Sequence, residues 1–142
     1  MRAVVDTNLL VSGLLWGRNP GRLLNAATQG HLRLCISEAL LAELREVLHR
    51  AKLAGRLAVR GETPEAVLAS VRSICEVVSA PDIPKPAGLR DPKDLMVLSC
   101  AKAAKADAIL TGDDDLLTMK EFEGIPTLPV REALEKLGMP AE

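Results

Sequence analysis

Met1-Arg-Ala-Val-Val-Asp6-Thr7-Asn8 opens the chain with a short apolar run that ends on an acid. Unbroken aliphatic residues of this kind suit a strand buried inside a parallel sheet. A second such run, Ala108-Ile-Leu-Thr111, leads into Gly112-Asp113-Asp114-Asp115. Open α/β sheets bind their ligands at the carboxyl ends of the strands. Asp6 and Asp113 are therefore candidates for one shared site.

Working outward from the first strand, over Arg2–Asp6, the segment Asn19-Pro20 predicts a helix over Gly21–Gln29, a cap residue followed by proline at the first helical position. Leu32–Ile36 reads as a strand, and Ser37 caps a helix from Glu38 to about Arg50. Thr63-Pro64 repeats the cap-plus-proline signal and starts a helix to about Ile74. Val77–Val78 is a short strand and Pro81–Leu89, with its prolines and glycine, a loop. Asp91-Pro92 begins a helix to about Ala104. Strands over Ala108–Thr111 and Ile125–Leu128 and a helix over Arg131–Leu137, ended by Gly138, complete the chain. Alternating strands and helices predict an α/β fold with a parallel sheet covered on both faces.

Composition bounds the function. The 142 residues, 48% hydrophobic, suit a single domain with a real core. No stretch reaches the ~20 apolar residues of a membrane span. With a strand starting almost at Met1, no secretory leader is expected, and a cytoplasmic protein is. Cys35, Cys75 and Cys100 have neither zinc nor disulfide spacing and are expected to be reduced, buried thiols. His31 and His49 are expected at the surface or at helix ends, with substrate contact the lesser alternative. A net charge of −1 argues only weakly against nonspecific nucleic-acid binding, because acids offset by metal at one site would leave the remaining surface somewhat basic. Trp16 and Phe122 are the only aromatics, too few for a base-stacking platform. Any grip on nucleic acid must then rest on phosphates, metal and cations such as Arg18, Arg22, Arg50, Lys52, Arg56, Arg60, Lys93 and Lys102, most of them ordinary solvated charges.

Two further acids converge on the same edge. In the helix from Glu38, the stripe Leu40, Leu41, Leu44, Val47 and Leu48 faces the core. Glu43 borders that stripe, whereas Glu38 and Glu46 point to solvent. Asp94 lies in the first turn of a helix that is apolar nearly all round, where free N–H groups favour negative charge. Asp91 is its N-cap. Among the three consecutive acids, Asp113 ranks first as a site residue, Asp115 second, and Asp114 faces solvent. Thr7 and Thr111 can hydrogen-bond a carboxylate or a phosphate, with packing the default role, and Asn8 and Ser12 can cap or orient Asp6, with a purely structural role the default. Carboxylates without His or Cys select a hard cation, Mg²⁺ or Mn²⁺. Such an ion acts on phosphodiesters by activating a water and stabilising the leaving oxygen.

These residues resemble the PIN-domain ribonucleases over essentially the whole chain. Val5-Asp6-Thr7-Asn8-Leu9-Leu10-Val11-Ser12-Gly13 looks like the family's opening motif, and Ser37-Glu38-Ala-Leu-Leu-Ala-Glu43-Leu its second. Arg90-Asp91-Pro92-Lys93-Asp94 resembles the third, and Ala106-Asp107-Ala-Ile-Leu-Thr111-Gly112-Asp113-Asp114-Asp115 the fourth. The details look closest to the VapC-like toxin branch of toxin–antitoxin modules. The resemblance implies a three-layer α/β/α fold and a Mg²⁺- or Mn²⁺-dependent endoribonuclease acting on RNA. It implies Asp6, Glu43, Asp94 and Asp113 as catalytic residues and metal ligands, with Asp115 as a further ligand. It also implies a homodimer and a cognate antitoxin that covers the site. One departure is Leu95, where relatives often carry another acid.

Rival readings fit less well. A haloacid-dehalogenase-type phosphatase wants an acid two residues after Asp6, where this chain has Asn8. A receiver-like domain wants paired acids before that strand end, and Met1–Val5 supplies none. A non-catalytic PIN-like module that binds RNA or protein would not need four costly carboxylates. A housekeeping RNA-processing nuclease would share the same acids. Leu9–Trp16, with Leu23-Leu24, is either core packing or a dimer or antitoxin surface, with Trp16 the best surface candidate.

Overall fold

The computed structural model describes residues 1–139. Its sheet runs in the order β3-β2-β1-β4-β6-β5. The strands are β1 (Arg2–Val5), β2 (Arg33–Ser37), β3 (Cys75–Val78), β4 (Ala108–Leu110), β5 (Glu121–Phe122) and β6 (Ile125–Leu128). All neighbours are parallel except β5, which pairs antiparallel with β6. The helices are α1 (Thr7–Leu15), α2 (Arg18–Thr28), α3 (Glu38–Leu48), α4 (Ala51–Val59), α5 (Pro64–Ile74), α6 (Pro92–Ala104), α7 (Asp114–Met119) and α8 (Val130–Lys136). Helix α6 packs on β1, β2, β3 and β4, while α2 packs on α1 and α8. The result is an α/β/α arrangement around a mainly parallel sheet, as the alternation of elements predicts. Among the described residues no helix is long and apolar enough to cross a membrane.

The strand order locates the site. From β1 the chain steps outward through β2 to β3, then returns by α6 to β4 on the other side of β1. The strand sequence therefore reverses between β1 and β4, and a crevice opens at their carboxyl ends. Register pairs Val5 with Leu110, so Asp6 and Thr111, each one residue further on, emerge side by side there. Beneath them Val4, Ile109, Leu110 and Leu98 are sealed from solvent.

Several elements differ from the sequence expectation. Helix α2 starts at Arg18, not Gly21, and is capped by Gly17 instead of Asn19. Gly17 and Arg18 hold positive φ, 73° and 56°, which reverses the chain tightly enough to begin the helix early. Pro20 then sits third in the first turn, where a missing N–H still costs no intrahelical bond. The stretch after Asp6 is helical, with Leu10, Val11 and Leu15 buried and Trp16 exposed. Core packing thus accounts for most of the Leu9–Trp16 stretch. Gly13 explains why α1 and α2 approach so closely: a Cβ there would meet Leu24 Cδ1 and Pro20 O at 2.9 Å. Helix α4 and strand β5 were not anticipated. Cys35 and Cys100 are buried free thiols, but Cys75, at the start of edge strand β3, is only partly buried. His31 and His49 are both exposed.

Candidate functional site

Asp6 is built into the chain as a helix cap. Its Oδ1 accepts the Leu9 N–H at 2.8 Å, and its backbone N–H donates to Leu110 O at 3.1 Å. Its Oδ2 accepts the Thr111 hydroxyl, and the Thr111 oxygen in turn accepts the Asp113 N–H at 2.9 Å. Thr111 is fully buried. One threonine thus ties the end of β1 to the loop after β4 and fixes the spacing of two acids. Asp113 caps α7, accepting the Asp115 N–H at 2.9 Å. Capping and site lining coexist here, since a capping carboxylate has lone pairs to spare.

Glu43 reaches the cleft from the middle of α3. The Thr7 hydroxyl donates to Glu43 Oε2 at 2.9 Å, and Lys93 Nζ lies 3.8 Å from Oε1. Glu38 and Glu46 are exposed, and Glu38 is held by Arg72 in a bidentate pair at 2.8 and 3.0 Å. The helical-wheel reading of α3 therefore matches the placement of all three glutamates.

Asp94 sits one turn into α6, which Asp91 caps by accepting the Lys93 N–H at 2.9 Å. It is only 6% exposed, and its Oδ2 is sealed without a hydrogen-bond partner among the described residues. A buried carboxylate oxygen left unpaired is costly unless something arrives to bind it. Burial above all, then the neighbouring Asp113 and the carboxylates of Asp91 and Asp115, push the Asp94 carboxyl up to about 7. Burial likewise raises Asp6 above the ordinary carboxylate range, against the opposing hydrogen bonds from Thr111 and Leu9.

Asp6, Glu43, Asp94 and Asp113 line a single cleft of about 60 Å³ together with Thr7, Asn8, Asp91, Lys93 and Val97. Oxygens of Asp94, Asp113 and Asp115 all lie within 4.8 Å of one another. Asp115 does not line that cleft. It is gripped by Arg90, Nη2 to Oδ1 at 2.8 Å and Nε to Oδ2 at 3.3 Å, which holds its carboxyl below the usual range. Asp114 is exposed. The residue after Asp94 points elsewhere: Leu95 lines an apolar pocket of about 280 Å³ with Pro81, Ile83, Met96 and Ser99. An acid at position 95 would not face the cleft in this chain.

Larger cavities lie away from the acids, such as the groove of about 380 Å³ between α3 and α5. Volume is a poor guide here, because a small cation needs converging oxygens and little space. The donor set is entirely oxygen, it includes one unsatisfied buried atom, and three of its members are close enough to share one ion. These features fit a hard divalent cation. Sequence reasoning missed the Arg90–Asp115 and Lys93–Glu43 pairs, although Arg90 and Lys93 flank Asp91 in the same motif.

Comparison with known proteins sets a family and a fold relative beside this geometry. The family model of the PIN domain matches residues 2–115. Among solved structures, the chain is similar to that described as VapBC2 from Rickettsia felis bound to a DNA fragment from their promoter, with a TM-score of 0.60 and 17% identity. The match covers 91% of this chain and 98% of that one. No curated protein matches it significantly.

Proposed function

The chain belongs to the PIN-domain family, and on that premise we propose that it is a Mg²⁺- or Mn²⁺-dependent endoribonuclease, the toxin of a toxin–antitoxin pair. The observation that carries this reading is the convergence of Asp6, Glu43, Asp94 and Asp113 on one cleft, with Asp94 Oδ2 buried and unpaired. Asp6, Glu43, Asp94 and Asp113 would hold the ion, and Asp115, now paired with Arg90, is a further oxygen donor within reach. A bound ion supplies Lewis acidity toward a phosphodiester oxygen and lowers the pKa of a water. The protein's own groups do the rest. Thr111 and the Leu9 N–H fix Asp6, Thr7 fixes Glu43, and the sealed wall around Asp94 and Val97 lowers the local dielectric. Lys93 and Arg90, at the rim, are placed to meet the phosphates flanking the scissile bond.

The same reading treats residues 1–142 as one domain, supported by the pairing of β6 with β4 and the packing of α8 on α2 beyond the family match. It makes the protein a cytoplasmic homodimer whose cleft is covered by an antitoxin. The similarity to a VapBC2 structure supports that partner. The test is cleavage of structured and unstructured RNA by wild type, Asp6→Asn and Asp94→Asn, with and without EDTA. Cleavage is expected to need added Mg²⁺ or Mn²⁺ and to fall about 10²-fold or more in both variants. Wild-type cleavage that survives chelation contradicts the mechanism.

A further inference from the structure

The other end of α1 carries a surface that the cleft does not use. Trp16, the only tryptophan in the chain, closes α1 as its C-cap and is 46% exposed. The Arg56 guanidinium lies over its ring, 3.8 Å from the centroid, so the exposed area of the indole belongs to the opposite face and the edges. Arg56 is the middle of a row spaced i, i+4, i+8, with Lys52 and Arg56 on α4 and Arg60 its C-cap. Arg60 donates to the carbonyls of Leu14, at 3.2 Å, and Leu15. These are carbonyls that the end of α1 leaves open, so the row is pinned to the helix that presents Trp16.

Charge is concentrated here. Residues 47–61 hold Arg50, Lys52, Arg56 and Arg60 and no acid, in a chain whose net charge is −1. Among the described residues no carboxylate pairs with Arg50, Lys52 or Arg56. Val59, 89% exposed on the same helix, adds an apolar neighbour.

We propose that this corner binds single-stranded RNA, holding phosphates with Lys52 and Arg56 and, against the expectation drawn from the scarcity of aromatics, stacking a single base on the indole face turned away from Arg56. Unpaired cations call for a polyanion, and a rigid indole backed by a guanidinium calls for one that carries flat aromatic groups. The corner and the cleft share one helix: Asp6 caps its start and Trp16 its end, ten residues apart, or about 15 Å of helical rise. A few nucleotides of extended strand cover that distance. The inference rests on the nuclease reading for its purpose, because it names where the substrate is gripped before it enters the cleft.

The test uses the intact protein in EDTA, so that binding is read without cleavage. Oligouridylate is titrated while the emission of the lone tryptophan is followed. Trp16→Ala, Trp16→Phe, Lys52→Gln and Arg56→Gln are then compared with wild type by anisotropy of a labelled oligouridylate across salt concentrations. Quenching is expected, with Kd weakened about tenfold in Trp16→Ala and largely restored in Trp16→Phe. Each Gln variant is expected to reduce the salt slope by about 0.7. Unquenched emission with unchanged affinity in all four variants overturns the inference, as does oligoglutamate binding as tightly as RNA, which would mark an acidic protein partner. Cleavage by the same samples after adding Mn²⁺ is scored separately. Intact cleavage with an inert corner refutes this inference alone, whereas a quenched but inactive wild type refutes the nuclease reading and leaves the corner standing.

Discussion

Asp94 is the residue on which the site's energetics turn. With its carboxyl raised to about 7, against about 3.9 in an unfolded chain, the metal-free folded state binds a proton that the unfolded state releases. The stability this contributes is fully present below about pH 4 and is lost as pH rises through about 7. In EDTA, wild type should therefore lose melting temperature relative to Asp94→Asn between pH 5 and 8. At pH 8 the Asn variant should be more stable by about 1–2 kcal/mol. Equal pH dependence in the two proteins would show that Asp94 is not under like-charge and burial strain. The thiols give a second residue-level expectation. Burial pushes Cys75 up to about 11 and Cys100 to about 12, so about 0.1% or less of either is thiolate at pH 8. Native protein should resist iodoacetamide at that pH, and denatured protein should not. The placement of Asp6 and Asp94 on one cleft was legible because strand ends and first helical turns are positions that local sequence defines. That Thr111 would hydrogen-bond a carboxylate was legible too; that it joins Asp6 to the Asp113 N–H was not, since this depends on the register of β1 against β4, which no local pattern states.

At the scale of elements, caps and close approaches do the positioning. Ser37 caps α3 by accepting the Leu40 N–H at 3.2 Å while fully enclosed. Ser37→Ala should cost about 1 kcal/mol in denaturant unfolding and loosen the helix that carries Glu43. Gly13→Ala should destabilise by about 1–3 kcal/mol, because the new Cβ meets the backbone of Pro20 as well as Leu24, outweighing the helix propensity it gains. A Gly13→Ala protein as stable as wild type would mean that α2 moves aside freely. Helices α3, α5 and α6 were readable from Ser37, Thr63 and Asp91, each a polar cap that the structure uses. Helix α4 was not: Arg50 makes no side-chain cap bond, and only Leu57 of the helix is fully buried. Strand β5 has two residues, too few for any periodicity to register.

At the scale of the whole molecule, the reversal of strand order between β1 and β4 gathers acids separated by more than a hundred residues onto one edge. The fold class was legible because apolar runs alternate with capped helices, but the order of strands depends on tertiary packing that sequence does not print. As the toxin of a pair the protein would be harmful when unpartnered: expressed alone it should arrest growth, and Asp94→Asn should relieve the arrest at equal expression. The most direct test of the central claim is an anomalous difference map from crystals soaked in Mn²⁺. A peak enclosed by Asp6, Glu43, Asp94 and Asp113 is the predicted result. A fully loaded crystal with manganese elsewhere and that cleft empty would contradict it.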